Sequence, residues 1–212
     1  FRSGNSESSL PNEIPFIQTA NATVYYPEQA QGSTRKYPII YVQGEINEQQ
    51  QKVLVSQFHQ MVDENKTWPA VLCFVKANTD LSETISDIEK QLSGIRGSQR
   101  MRALITLGDN IKEGIEAIQR ENLFTGIVCV NAIGNENDAQ NFIKAVNSHK
   151  RYPRCWMEIL PKSKEYGFSS NIHILLKESD LEHEFRSRKC KEANVFTYWE
   201  DWILYLNNRI HV

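Results

Sequence analysis

The feature that most constrains this chain is an alternation that begins near residue 37 and continues to the end. Apolar runs of strand length ("YPIIYVQG", "PAVLCFVKAN", "RALITL", "TGIVCVNA", "RCWMEILP", "HEFRSRKC") take turns with segments of helical periodicity. In "SETISDIEKQLSGI" the residues Ile85, Ile88 and Leu92 fall on one face, with Ser82 as the expected N-cap and Gly94 as a stop. In "NIKEGIEAIQREN" the face is Ile111, Ile115 and Ile118. In "INEQQQKVLVSQFHQMVDEN" it is Val53, Phe58 and Met61/Val62. The last helix, "TYWEDWILYLNNRI", turns Trp199, Trp202, Ile203 and Leu206 inward. Strands apolar on both faces, each followed by a helix, predict a mostly parallel twisted sheet covered on both sides, an α/β three-layer sandwich with right-handed crossovers. The alternating part holds six such strands, and "IPFIQTANATVYYP" adds one or two before them.

At 212 residues the chain suits one large domain. Residues 1–13, "FRSGNSESSLPNE", are polar and Ser-rich and read as an arm or linker, leaving 14–212 as the domain. The chain does not begin with Met and shows no secretory signal, so a processed form or a piece of something longer is expected. Lys plus Arg (24) nearly balance Asp plus Glu (26), and no block of like charge occurs, so no nucleic-acid partner is indicated. No run approaches the roughly 18 apolar residues of a membrane span. Cys73, Cys129, Cys155 and Cys190 form no CxxC pair and read as buried free thiols. They lean the chain toward a reducing, intracellular compartment, against two glycosylation triplets at Asn21 and Asn65.

In open α/β sheets ligands bind beyond the carboxyl ends of the strands. The exits are therefore the informative positions: Gln43-Gly44-Glu45, Lys76-Ala77-Asn78, Leu107-Gly108-Asp109, Asn131-Ala132, residues 161–165 and residues 190–194.

Three stretches resemble the esterase D and enterochelin esterase branch of the α/β-hydrolase superfamily. "VYYPEQAQGSTRKYPIIYVQGE" is similar to its opening, a strand ending in "YLP", a loop, then "KYPVLYLLHG". "RMRALITLGDNIKEGIEAIQRENLFTGIVCVNA" is similar to its nucleophile region, where "R-x-A-L-x-G-x-S-x-G-G" leads through "LF" into the next strand. "HEFRSRKCKEANVFTYWEDWILYL" is similar to its end, a strand followed by "GGHDWxxW". The resemblance covers most of residues 22–206 in order and implies the α/β-hydrolase fold.

The catalytic letters differ. Aligned on "RAL", the G-x-S-x-G elbow falls on Thr106 to Asn110, with Gly108 at the serine position. The glycines that permit the strained elbow become Thr106 and Asn110, which implies a relaxed turn. Aligned on "YW", the histidine position is Asn194, whose amide is not basic near neutral pH. The oxyanion-loop stretch becomes "QGEI", and Glu165 is the only acid in the usual region for the third member. Without nucleophile and base, ordinary Ser-His-acid chemistry is unavailable.

The resulting expectation is an esterase-like domain without catalytic residues, serving as an interaction or dimerisation scaffold for a protein partner or a second copy. The last helix and the final edge strand are its association surfaces. Two other readings stand beside it. One is an active hydrolase that uses Asp109, which also reads as an N-cap or Asx-turn residue before the Ile111 helix. The other is a small-ligand binder that uses the old cleft around Gln43, Gly44, Gly108, Asp109 and Asn194. No cofactor is implied. His59, His149, His173, His183 and His211 show no metal-ligand spacing apart from the His183-Glu184 neighbourhood on a strand, and no metal is expected.

Overall fold

A computed structural model describes residues 14–27, 30, 35–92, 102–120, 124–160, 166–188 and 194–210. The arm at 1–13, Glu165 and Cys190 lie outside the described residues. The strands are β1 (Phe16–Gln18), β2 (Ala22–Tyr25), β3 (Ile39–Gln43), β4 (Val71–Val75), β5 (Arg102–Leu107), β6 (Gly126–Val130), β7 (Arg154–Ile159) and β8 (His183–Ser187). The helices are α1 (Glu48–Asp63), α2 (Leu81–Gln91), α3 (Ile111–Arg120), α4 (Glu136–Asn147), α5 (Tyr166–Glu178) and α6 (Trp199–Ile210).

All eight strands form one sheet in the order β1-β2-β4-β3-β5-β6-β7-β8. The short hairpin β1–β2 is antiparallel and docks antiparallel on β4; from β4 to β8 every pairing is parallel. Strand alternation divides the core. Tyr41, Cys73, Leu104 and Ile127 face the layer of α2, α3, α4 and α5. Ile40, Val42, Leu72 and Ile105 face α1 and α6. β3, β4 and β6 are buried along their whole length, which is why they read as unbroken apolar runs rather than alternating ones.

Local signals explain the helix starts. Asn47 with Gln50, and Asn135 with Asp138, make reciprocal capping boxes for α1 and α4. α2 is capped by Asp80, whose carboxylate accepts the Glu83 N–H at 3.0 Å, not by Ser82. Asp is as good a cap, and starting two residues earlier buries Leu81. In α1 the inward face is Leu54, Val55, Phe58 and Met61, while Val53 is 49% exposed. Phe58 and Met61 lie on the expected face, whereas Val53 falls outside it. α6 follows its pattern: Trp199, Trp202, Ile203 and Leu206 are all buried. Its apolar stripe is spent on the chain's own core. The buried thiols of Cys73, Cys129 and Cys155 are unpaired. Burial pushes the Cys155 thiol up to about 12 and raises the other two, so all three stay protonated. Among the described residues no helix is long and apolar enough to cross a membrane.

Candidate functional site

Three strand exits at the middle of the sheet place residues in the left-handed region: Asn78 after β4 (φ 61°), Gly108 after β5 (φ 61°) and Asn131 after β6 (φ 48°). Asn tolerates this conformation better than most residues and Gly carries no steric penalty there. Each therefore turns the chain sharply where the sheet ends. Their hydrogen bonds hold the turns together. Asn78 N–H donates to Asn110 Oδ1 at 2.9 Å, and Asn110 Nδ2 donates to the Leu107 carbonyl at 2.8 Å. Asn131 N–H donates to the Glu158 carbonyl, while its own Oδ1 accepts from Leu160 N–H at 2.8 Å. Ile133 N–H donates to the Gly108 carbonyl at 3.1 Å.

The turn at Gly108, expected to be relaxed, is still sharp. It keeps the positive φ of a sharp strand-to-helix elbow, and glycine removes the strain such a turn places on other residues. A short 3₁₀ turn, Gly108–Asn110, joins β5 to α3 and has no side-chain cap. Asp109 is exposed there and does not serve as the expected N-cap. The buried Asn110 makes the closing bonds instead. The negative charge of Asp109 contributes to holding the Glu113 carboxyl above its usual range, after burial and Glu116.

Above this elbow lies an open cleft of about 660 Å³, within the ordinary size of ligand pockets. Its floor and walls include Glu45, Asn78, Gly108, Asp109, Asn110 and Asn131, with Ile133 and Val195 on the apolar side. A second depression of about 510 Å³ adjoins it, sharing Glu45 and Ala77 and reaching Gly44, Gln51 and Lys76.

The residues marked in the sequence are only partly brought together. Gly108 and Asp109 line the cleft. Gly44 lines the neighbouring depression. Its N–H donates to the Val75 carbonyl at 3.3 Å, so this amide is committed to the sheet rather than offered to an oxyanion. A Cβ at Gly44 would sit 2.7 Å from Leu107, so the glycine is there for close packing. Gln43 is not on the cleft wall. It is fully buried, and its Nε2 donates to the Lys76 and Thr79 carbonyls at 3.1 and 3.0 Å, tying β3 to the loop before α2. Asn194 is exposed; its Oδ1 accepts the Phe196 N–H at 2.9 Å, forming an Asx turn ahead of α6, and only its neighbour Val195 reaches the cleft. Glu165 falls outside the described residues. Neither serine nor histidine occurs among the described residues that line the cleft.

Sequence reasoning missed the carboxylate of Glu158 on β7. It is fully buried and accepts from Trp202 Nε1 at 2.9 Å, Trp156 Nε1 at 3.1 Å and Arg188 Nη2 at 2.5 Å. Arg188, just past β8, also donates to Asp201 at 2.7 Å and lies 3.7 Å over the Tyr198 ring. The signal was present: a lone Glu inside "RCWMEIL" must find a partner if the strand is buried on both faces.

This architecture is the α/β-hydrolase fold, an eight-stranded, mostly parallel sheet with an elbow after β5. Its solved neighbours are esterases of that superfamily. A ferulic acid esterase superposes with a TM-score of 0.73 at 12% identity, over 93% of this chain and 98% of that one. S-formylglutathione hydrolase from Staphylococcus aureus gives 0.63 at 12% identity, over 92% and 96%. The enterobactin esterase of Shigella flexneri gives 0.66 at 12% identity, over 92% of this chain and 59% of that one. No family model matches the sequence, and no curated protein matches it. These neighbours overturn the expected role as an inactive interaction or dimerisation scaffold. The fold is shared with named esterases and hydrolases, and the cleft above the elbow is open rather than filled.

Proposed function

We propose that this chain binds a small hydroxyl- or amine-bearing molecule in the cleft above Gly108, and that it does not hydrolyse esters through a Ser-His-acid triad. The observation that carries the reading is the lining. Two carboxylates, Glu45 and Asp109, accept hydrogen bonds only, and Asn78 stands beside them, while the Asn110 side chain and the Asn131 Oδ1 are spent on holding the turns. A donor-rich ligand such as a sugar or an aliphatic amine complements this set. Ile133 and Val195 offer one apolar wall for its carbon face. The absence of a triad is supported by Gly108 at the serine position, Asn194 in an Asx turn, and the Gly44 amide committed to Val75. The buried free thiols support an intracellular setting.

Thermal shift against a panel of neutral sugars and aliphatic polyamines tests the binding half. A saturating ligand at about 100-fold its Kd stabilises by about 2.7 kcal/mol, an effect easily seen. Asp109→Lys should abolish the shift without lowering the Tm of the free protein. No shift from any member contradicts the reading. Short-chain aryl esters test the other half: turnover lost in Asp109→Asn would establish a hydrolase that uses the aspartate.

A further inference from the structure

Far from the cleft, at the amino end of the sheet's last strand, two histidines meet. His173 on α5 and His183 at the start of β8 bring Nδ1 and Nε2 to 2.7 Å. We propose that this pair is a binding site for a divalent transition-metal ion, Cu(II) or Ni(II) ahead of Zn(II).

Three observations carry the assignment. The first is tautomer. His183 Nδ1 lies 2.8 Å from the Leu181 carbonyl. A carbonyl only accepts, so Nδ1 carries the hydrogen and Nε2 presents its lone pair toward His173. A backbone carbonyl on the far nitrogen is the arrangement that orients metal-ligating imidazoles. The second is orientation of the other ring. His173 is stacked on Phe185 at 4.4 Å and 22°, which holds its plane with Nδ1 directed at His183. Without metal this Nδ1 carries the hydrogen shared with His183 Nε2, and metal binding there transfers that proton to its own Nε2.

The third is distance. Two nitrogens about 2.05 Å from a metal stand about 2.9 Å apart at a right angle and about 3.3 Å apart at the tetrahedral angle. Opening the pair from 2.7 Å to the first spacing takes about 0.2 Å, whereas the second takes about three times as much, and in either case both rings turn so that their nitrogens converge on the ion. Right-angled sites suit Cu(II) and Ni(II), and Cu(II) is also the strongest binder of imidazole in the divalent series. Both histidines are part-exposed, so water completes the coordination. Lys177, one turn along α5, opposes a cation electrostatically, but its side chain is exposed and screened. Sequence spacing does not reveal the pair, because the histidines are ten positions apart and the chain between them is folded back by the turn after α5.

The test is calorimetric titration of the intact chain with CuSO₄ and NiCl₂, together with electron paramagnetic resonance of the Cu(II) form. One equivalent should bind, with hyperfine coupling from two imidazole nitrogens. His173→Gln and His183→Gln should each weaken binding at least tenfold, and His59→Gln should leave it unchanged. If His183→Gln disturbs the edge strand, the nitrogen count in the unaltered protein decides. Binding unaffected by both substitutions, coupling from fewer than two nitrogens, or no stoichiometric binding overturns the proposal.

Discussion

The carboxyl edge of the sheet has two halves that use polar residues in opposite ways. Beyond β3, β4 and β5 they converge on open volume: Glu45, Asn78 and Asp109 line a cleft whose turns are held by Asn110 and Asn131. At β7, β8 and α6 they are spent on one another: Glu158 is closed off by Arg188 and two tryptophans, and Arg188 by Asp201 and Tyr198. The difference teaches where function can reside. A polar group that already has its partners inside the fold contributes rigidity, whereas one at a solvent-filled concavity is available to a ligand. The packed corner also fixes the end of β8, and through α6 it anchors the turn that brings Val195 to the cleft.

Substitutions at the two halves should therefore separate stability from binding. The largest effect is expected for Glu158→Ala. It leaves Arg188 and two indole N–H groups without their acceptor, a loss of about 3–5 kcal/mol and a fall in Tm on the order of 10 °C. A denaturation midpoint close to that of the unaltered chain would show that the corner is looser than described. Next is Gly44→Ala, whose Cβ would press on the Leu107 side chain at 2.7–2.9 Å. The cost is about 1–3 kcal/mol in urea unfolding. Gly108→Ala should cost about 1–2 kcal/mol, from the positive φ alone, because its Cβ meets only Ile133 at 3.8 Å.

The smallest effect is a pH dependence. Burial, outweighing the attraction of Asp63, lowers the pKa of His59 on α1 below its unfolded value. Between the lowered and the unfolded values the unfolded chain binds more protons. Stability is then fully present above about pH 6.5 and falls as the pH drops through the folded value. His59→Gln should flatten that window in a series of urea midpoints, and an unchanged slope would refute the assignment.

The sheet and its helices were legible because buried parallel strands and amphipathic helices write different periods into the chain. The misses are local and physical. Asp80 outcompetes Ser82 as a cap because the earlier start buries Leu81. Val53 lies just off the buried face because the apolar stripe of α1 is wide enough to be read one residue early. The position of Gly108 at the elbow was legible from its "RAL" frame, but its positive φ was not, since a glycine is compatible with either turn. Gln43 was placed in the cleft because it sits at a strand exit, but its alternation turns it inward. That Glu158 needs a partner was legible, but its partners just past β8 and on α6 were not. The histidine pair depends on how the turn after α5 brings two neighbouring elements together, which spacing along a sequence does not encode.

The most direct test is a ¹⁵N–¹H correlation spectrum recorded while the chain is titrated with the sugar and polyamine panel. Binding at the cleft should move the amide resonances of Asn78, Gly108, Asp109 and Asn131 together, and leave those of Glu158, Arg188 and Trp202 in place. Shifts confined to the β7–β8 corner, or none from any member of the panel, would contradict a ligand site above Gly108.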